Sequence, residues 1–287
     1  MNTYYNEKEQ RTLDMSKDIC SLDTWRSEKG KDFLAAKHPN GYYVFIPPEA
    51  IVMSDEYAKD DPYSVADNIN SNFHQRRFNS TVALIKEFTK GDNIRILDLG
   101  CGEGHLTDVI KKENSTYEVF GLDYAITAID YAVEKFKDID FVVADAYKPP
   151  YPDNYFDVVI CNNIWEHVPD PLSLLSVISR ITKNNGLLII STPSRYRFGN
   201  TLRILAGVGT KFVSKLHVTE YSVGQVQEQL KWGGYEVVKV YSPIIKEKNI
   251  FFTLLKRIFY LFLKIIRSKH ILESTVFYAA TKNQQSV

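Results

Sequence analysis

The chain has 287 residues, 44 % of them hydrophobic, with 35 Lys and Arg against 35 Asp and Glu. A balanced charge removes the global attraction that marks a nucleic-acid binder, so no nucleic-acid partner is expected, and the length suits one large α/β domain with additions. The three cysteines, Cys20, Cys101 and Cys161, form neither a disulfide framework nor a zinc pattern, which fits a reducing cytoplasm. The opening residues are polar, without the apolar run of a signal peptide. No run reaches about 18 uncharged apolar residues, so a membrane-spanning helix is not expected.

Residues 1–65 read as a polar, Tyr-rich arm around "HPNGYYVFIPPEAIVM", where His-Pro, Asn-Gly and Pro-Pro mark turns. Such an arm is a surface strap or a lid over a substrate site. The main domain is expected over 66–287, with insertions at about 193–217 and 244–272. It begins with a helix from about Asp67 to Thr89, in which Phe78, Val82, Ile85 and Phe88 fall at helical spacing. Strands then alternate with helices: "IRILDLG", "YEVFGLD", "IDFVVAD", "FDVVICN" and "GLLIIST" are strands, while "HLTDVIKKE", "AITAIDYAVEKF" and "PLSLLSVISRIT" are helices. After them come a helix and strand in "VGQVQEQLKWGGYEVVKVYS" and a last strand in "STVFYAATK". Strand-helix alternation predicts an α/β, Rossmann-like, mostly parallel sheet with helices on both faces and ligands at the carboxyl ends of the strands.

"ILDLGCGEGH" joins the first strand of that series to its helix through Gly100, Cys101, Gly102 and Gly104. The dinucleotide fingerprint G-x-G-x-x-G has its third glycine one position later, so the spacing argues against a nicotinamide cofactor. Tyr131 and Lys135 have the Tyr-x-x-x-Lys spacing of some nicotinamide oxidoreductases, but lie on the helix after the second strand, far from the usual catalytic position. Asp98, two positions before the first glycine, puts negative charge where a pyrophosphate would lie and favours an ammonium or sulfonium. Asp123, followed by Tyr124, suits a ribose through both carboxylate oxygens, and Asp145 with the Ala146 amide suits an adenine edge.

These segments, in this order over roughly residues 75–240, resemble the class I S-adenosylmethionine-dependent methyltransferases. The resemblance implies a seven-stranded sheet with an antiparallel last strand and S-adenosylmethionine across the first three strands. It places the Gly100–Gly104 turn and Asn162 at the methionine part, Asp123 at the ribose, and Asp145 with Ala146 at the adenine. It also implies an arginine before the first strand clamping the methionine carboxylate, a role open to Arg77 or its neighbour Arg76.

"CNNIWEHVPDP" follows the fourth strand, where the acceptor approaches the methyl group. Imidazole is the side chain suited to proton transfer near neutrality, so His167 is the candidate general base, with Glu166 to orient it. The alternative is that His167 merely caps or packs at the turn. Trp165 reads as a packing residue or pocket wall. "EHVPDP" and "STPSRYRFGNTLRILAGVGTKFVSKLHVTEYS" resemble the ubiquinone-biosynthesis O-methyltransferases, some of which place a metal-binding glutamate three residues before the Glu-His pair. Here that position is Asn163, a poorer ligand for a hard cation, and no metal is expected.

Two insertions interleave cations with apolar residues. The first carries Arg195, Arg197, Arg203, Lys211 and Lys215 among Phe198, Leu202, Ile204, Leu205, Phe212 and Val213. In the second, Lys256, Arg257, Lys264 and Arg267 share a sector of about 100° on a helical wheel whose other faces are apolar. The second suits a membrane interface through 250–267, with its cations near lipid phosphates; the alternative is a helix packed on the sheet or at a homodimer seam, its basic stripe in water. The expected function is a cytoplasmic S-adenosylmethionine-dependent methyltransferase acting on a hydroxyl of a small molecule, with a lipophilic or glycosyl-linked acceptor among the options. Peripheral contact at the inner face of the membrane is one of the two readings of the second insertion. N-methylation and a noncatalytic membrane- or partner-binding protein are the alternatives.

Overall fold

A computed structural model describes residues 3–28, 33–51, 72–244, 249–268 and 270–283. The arm contributes β1 Tyr5–Asn6, β2 Arg11–Thr12, β3 Ile19–Ser21, α1 Leu22–Glu28, β4 Ala35–Lys37 and β5 Tyr43–Val44. The main series runs α2 Asn72–Phe88, β6 Arg95–Leu99, α3 His105–Glu113, β7 Glu118–Asp123, α4 Ile126–Lys135, β8 Asp140–Val143 and β9 Phe156–Asn162. It continues through α5 Pro171–Ile181, β10 Thr182–Pro193, α6 Phe198–Leu205, α7 Val223–Trp232, β11 Tyr235–Tyr241, α8 Ile250–Ile265 and β12 Thr275–Lys282. The expected start of the main-domain helix at Asp67 lies outside the described residues.

Among the described residues the main sheet has ten strands, in the order β11-β12-β10-β9-β6-β7-β8-β5-β4-β3. From β8 to β10 all neighbours are parallel, and β12 runs antiparallel to both β10 and β11. These are the seven expected strands with their antiparallel last member. The count rises to ten because the arm continues the edge: β5 pairs parallel with β8, and β4 and β3 follow. Trp25, Val44 and Ile46 of this edge bury against Ile126 and Ile129 of α4.

Alternation within the central strands divides the core. Leu97 and Leu99 of β6 share one face with Phe120, Val159 and the α5 residues Leu174 and Ile178. Ile96 faces the other way, with Val119, Ile160, Phe78 and Ile85 of α2, and Ile110 of α3. Covered on both faces, these strands need continuous apolar runs. Helices α5 and α7 begin at side-chain caps: Asp170 accepts from Ser173 N ahead of Pro171, and Ser222 and Gln225 form a reciprocal capping box.

The chain builds β7 and β8 on one side of β6, then crosses back to lay β9 on the other. The carboxyl ends of β6 and β9 therefore flank the point where the strand order reverses, the place where open α/β sheets bind ligands.

Helix α8 departs from the expected basic stripe. Lys256 is its one buried residue among the described side chains, paired with Glu273 at 2.7 Å, so it does not share a water-facing stripe with Arg257 and Lys264. The opposite, apolar face is exposed.

Candidate functional site

The glycine turn is fixed by backbone and space together. Gly100 has φ +73°, and a Cβ there would stand 2.1 Å from Ile164 Cδ1; Gly104 has φ +75°, with Phe141 Cζ 2.8 Å from a Cβ. A side chain at either position meets both a left-handed backbone and an occupied volume. Gly100 N and Cys101 N both donate to Leu122 O, at 2.7 and 3.0 Å, and tie the turn to β7.

That tie brings the acids together. Asp123 accepts from Gly102 N at 2.8 Å and Ala125 N at 3.0 Å, which orients its carboxylate at the end of β7 while each oxygen retains accepting capacity. Asp98 is buried and accepts from Thr107 Oγ1 at 2.8 Å. Burial pushes its carboxyl up to about 6, against the opposing effects of the Thr107 hydrogen bond and the Arg77 charge. Asp145 is half-buried two residues beyond β8 and accepts from Tyr147 N at 2.9 Å; Ala146 is half-buried beside it, and Tyr124 is exposed after Asp123. Burial raises the Cys101 thiol well above its ordinary range, so it lines the turn as a neutral thiol.

Asn162, at the end of β9, donates to Thr81 Oγ1 at 3.0 Å, while its buried Oδ1 meets no hydrogen-bond donor among the described residues. Arg77 reaches the same end of the sheet from α2, donating through Nη1 to Asn163 Oδ1 at 3.0 Å. Arg76 points elsewhere, lining a separate cavity of about 370 Å³ with Glu87, Lys239 and Tyr241. Of the two arginines, Arg77 is the one that reaches this end of the sheet. An acid and a free amide oxygen at the switch point, an arginine at the same end of the sheet and an oriented carboxylate at the next strand end fit a ligand bearing an ammonium, a carboxylate and a diol.

The segment after β9 forms the second half of the site. Trp165 is fully buried, its Nε1 donating to Gln229 Oε1 at 2.8 Å, so it packs rather than recognises. Glu166 is buried, its two oxygens taken by Asn163 Nδ2 at 3.1 Å and Thr192 Oγ1 at 3.0 Å. It does not hold His167, whose Nδ1 lies 3.3 Å from Leu216 O. A carbonyl can only accept, so neutral His167 carries its proton on Nδ1 and presents a lone pair at Nε2.

The first insertion brings in a histidine that sequence reasoning did not place at the site. Val218 N and Thr219 N donate to Glu166 O, drawing His217 alongside His167 with ring centroids 4.9 Å apart. His217 Nδ1 lies 3.0 Å from Oε1 of Glu220, which is fully buried and also pairs with Arg197 Nη1 at 2.5 Å. The carboxylate fixes the same tautomer as in His167. The only signal in the sequence was the His-led "KLHVTEYS", whose spacing gives no sign that it folds back onto the loop after β9. Glu166, His167 and His217 offer ligand atoms within 4.8 Å of one another, a carboxylate and two imidazoles of the kind that borderline cations take.

The profile of the methyltransferase domain family matches residues 90–248, more than half of the chain. The chain belongs to this family. It is a class I S-adenosylmethionine-dependent methyltransferase in fold and cofactor class. A ubiquinone biosynthesis O-methyltransferase from Thiobacillus denitrificans is 34 % identical over 128 residues, 42 % of this chain and 53 % of that protein. The chain spans about half the length of the curated relatives it matches. Among solved structures, the cyclase SpnF has TM-score 0.59 at 16 % identity, covering 82 % of this chain and 97 % of its own. Phosphoethanolamine N-methyltransferase 2 of Haemonchus contortus, solved with S-adenosyl-L-methionine, has TM-score 0.50 at 19 % identity, covering 72 % of this chain and 53 % of its own. At such identities the likeness is one of fold.

Proposed function

We propose that this methyltransferase methylates a hydroxyl of a small lipophilic acceptor in the cytoplasm, reached at a membrane surface that residues 250–267 contact. S-adenosylmethionine supplies a methyl carbon made electrophilic by its sulfonium. Asp98 and Asn162 Oδ1 hold the ammonium of its methionine part, Arg77 the carboxylate, Asp123 the ribose, and Asp145 with Ala146 the adenine. The acceptor hydroxyl yields its proton to an imidazole Nε2 as its oxygen takes the methyl group, and the C–S bond breaks to leave a neutral thioether.

The observation that carries this reading is the histidine pair beyond β9, each Nδ1 bound to a fixed acceptor. A hydroxyl acceptor needs a base, whereas a neutral amine does not. Calorimetry with S-adenosylhomocysteine tests the cofactor half, and absence of binding by the folded protein overturns it. Incubation with methyl-labelled cofactor and a lipid extract, followed by mass spectrometry, identifies the acceptor. His167→Ala and His217→Ala are each expected to slow transfer by on the order of a hundredfold. Near-full activity of both variants would move the reading to N-methylation.

A further inference from the structure

We infer that α8 and the adjoining first insertion form a docking face for an anionic lipid bilayer, a proposal that rests on the membrane part of the reading above and names its partner. Most globular helices leave a polar side to water; α8 leaves an apolar one. At 100° per residue, Ile250, Phe251, Leu254, Ile258, Leu261 and Ile265 fall within an arc of about 100°, and all are exposed, from 55 % at Ile258 to 87 % at Ile250. Lys256 lies almost opposite the centre of that arc and is buried, with Nζ 2.7 Å from Glu273 Oε2, while Tyr260 Oη donates to Glu273 Oε1 at 3.0 Å. The buried pair latches the helix with its apolar face turned outward.

Charge identifies what that face meets. Arg257 and Lys264 are exposed and flank one edge of the arc, and residues 249–268 contain no Asp or Glu. The first insertion is equally one-sided: between Arg195 and Thr219 it has five Lys and Arg and no acid, with Leu205, Val213 and Leu216 more than half exposed. The two insertions join through Phe198, whose amide donates to Leu272 O at 2.7 Å and whose ring meets Phe259 at 5.8 Å. An acid-free, cation-edged apolar surface complements lipid tails beneath anionic headgroups. A second copy of the same face would bring these cations no acidic partner.

The docking face also leads to the site, since the first insertion ends at His217 and bonds to the Glu166 backbone. Among the described residues no helix is long and apolar enough to cross a membrane, so the contact is interfacial.

The test is co-sedimentation with vesicles of phosphatidylcholine alone and of equal parts phosphatidylcholine and phosphatidylglycerol, using the full chain. Wild type is expected to sediment with the anionic vesicles and to be released by high salt. Arg257→Gln and Lys264→Gln are each expected to weaken binding on the order of fivefold, and Leu254→Gln with Ile258→Gln by at least about tenfold. Calorimetry with S-adenosylhomocysteine checks that the variants remain folded and separates the claims: vesicle binding without cofactor binding would sink the methyl-transfer reading alone. Wild type left in solution with both vesicles, or a dimer in sedimentation velocity that Leu254→Gln with Ile258→Gln dissociates, would overturn the docking face.

Discussion

Arg77 and Asn163 meet through Nη1 and Oδ1 at 3.0 Å, and the same amide donates through Nδ2 to Glu166 Oε1 at 3.1 Å. Only a group that both accepts and donates can join a guanidinium to a carboxylate in this way. Asn163 also holds φ +56°, a left-handed conformation that Asn tolerates better than Glu. Asn163 is thus a neutral bridge between Arg77 and the buried Glu166.

Asn163→Glu therefore sets two carboxylates against each other and strains the turn. The expected outcome is a loss of about 1–3 kcal/mol in thermal or urea unfolding and about tenfold weaker S-adenosylhomocysteine binding as Arg77 loses its position. Unchanged melting and affinity would show that the bridge carries neither function.

Asp98 gives the proposed cofactor site a pH dependence. Its carboxyl is raised from 3.8 to about 6 by burial. With the folded value above the unfolded one, its contribution to stability is present below about pH 4 and is lost as pH rises through about 6. A bound ammonium favours the ionised form and reverses the sign for binding. S-adenosylhomocysteine affinity should thus rise as pH increases through about 6, with protons released on binding, measurable by calorimetry in buffers of different ionisation enthalpy. Asp98→Asn should remove that dependence; a variant that kept it would locate the titration elsewhere.

The strand ends at the switch point were legible because their residues are local. Gly100, Asp123 and Asn162 sit at strand ends, where an apolar run meeting a Gly or Asp announces both the strand and its ligand-binding terminus. The side-chain arrangement after β9 was not, because Glu166 and His167 are neighbours in sequence but their side chains take different partners, Thr192 for one and Leu216 O for the other. His217 reaches His167 only through backbone bonds across roughly fifty residues, and no local pattern encodes them. Helix α8 misled for a related reason: its wheel shows one sector of cations, yet the buried Glu273, beyond the helix, turns Lys256 inward. The three extra strands were hidden by their brevity, two or three residues each.

Glu220 is expected to act through His217. Its carboxylate holds Nδ1–H and leaves Nε2 free to accept a proton, as the carboxylate does in an acid-His pair of hydrolases. Glu220→Gln leaves Arg197 without its charge partner and lets the imidazole turn. Turnover should fall on the order of a hundredfold with the KM for S-adenosylmethionine unchanged, and Glu220→Asp should recover part of it. An equal loss in cofactor binding would mark Glu220 as structural instead.

Lys256 and Glu273 are both buried, so removing one partner leaves an uncompensated charge. Lys256→Met should cost about 3–5 kcal/mol, because the buried carboxylate loses the cation paired with it at 2.7 Å. Removing both charges, Lys256→Met with Glu273→Leu, should restore most of that loss, since an apolar pair of similar volume needs no desolvation. Urea unfolding of the wild type, the two single variants and the double variant gives the coupling directly. Losses that simply add would show that the pair does not hold α8. A double variant that stays folded but no longer binds anionic vesicles would show that the ion pair, more than the bulk of the two side chains, keeps the apolar face turned outward.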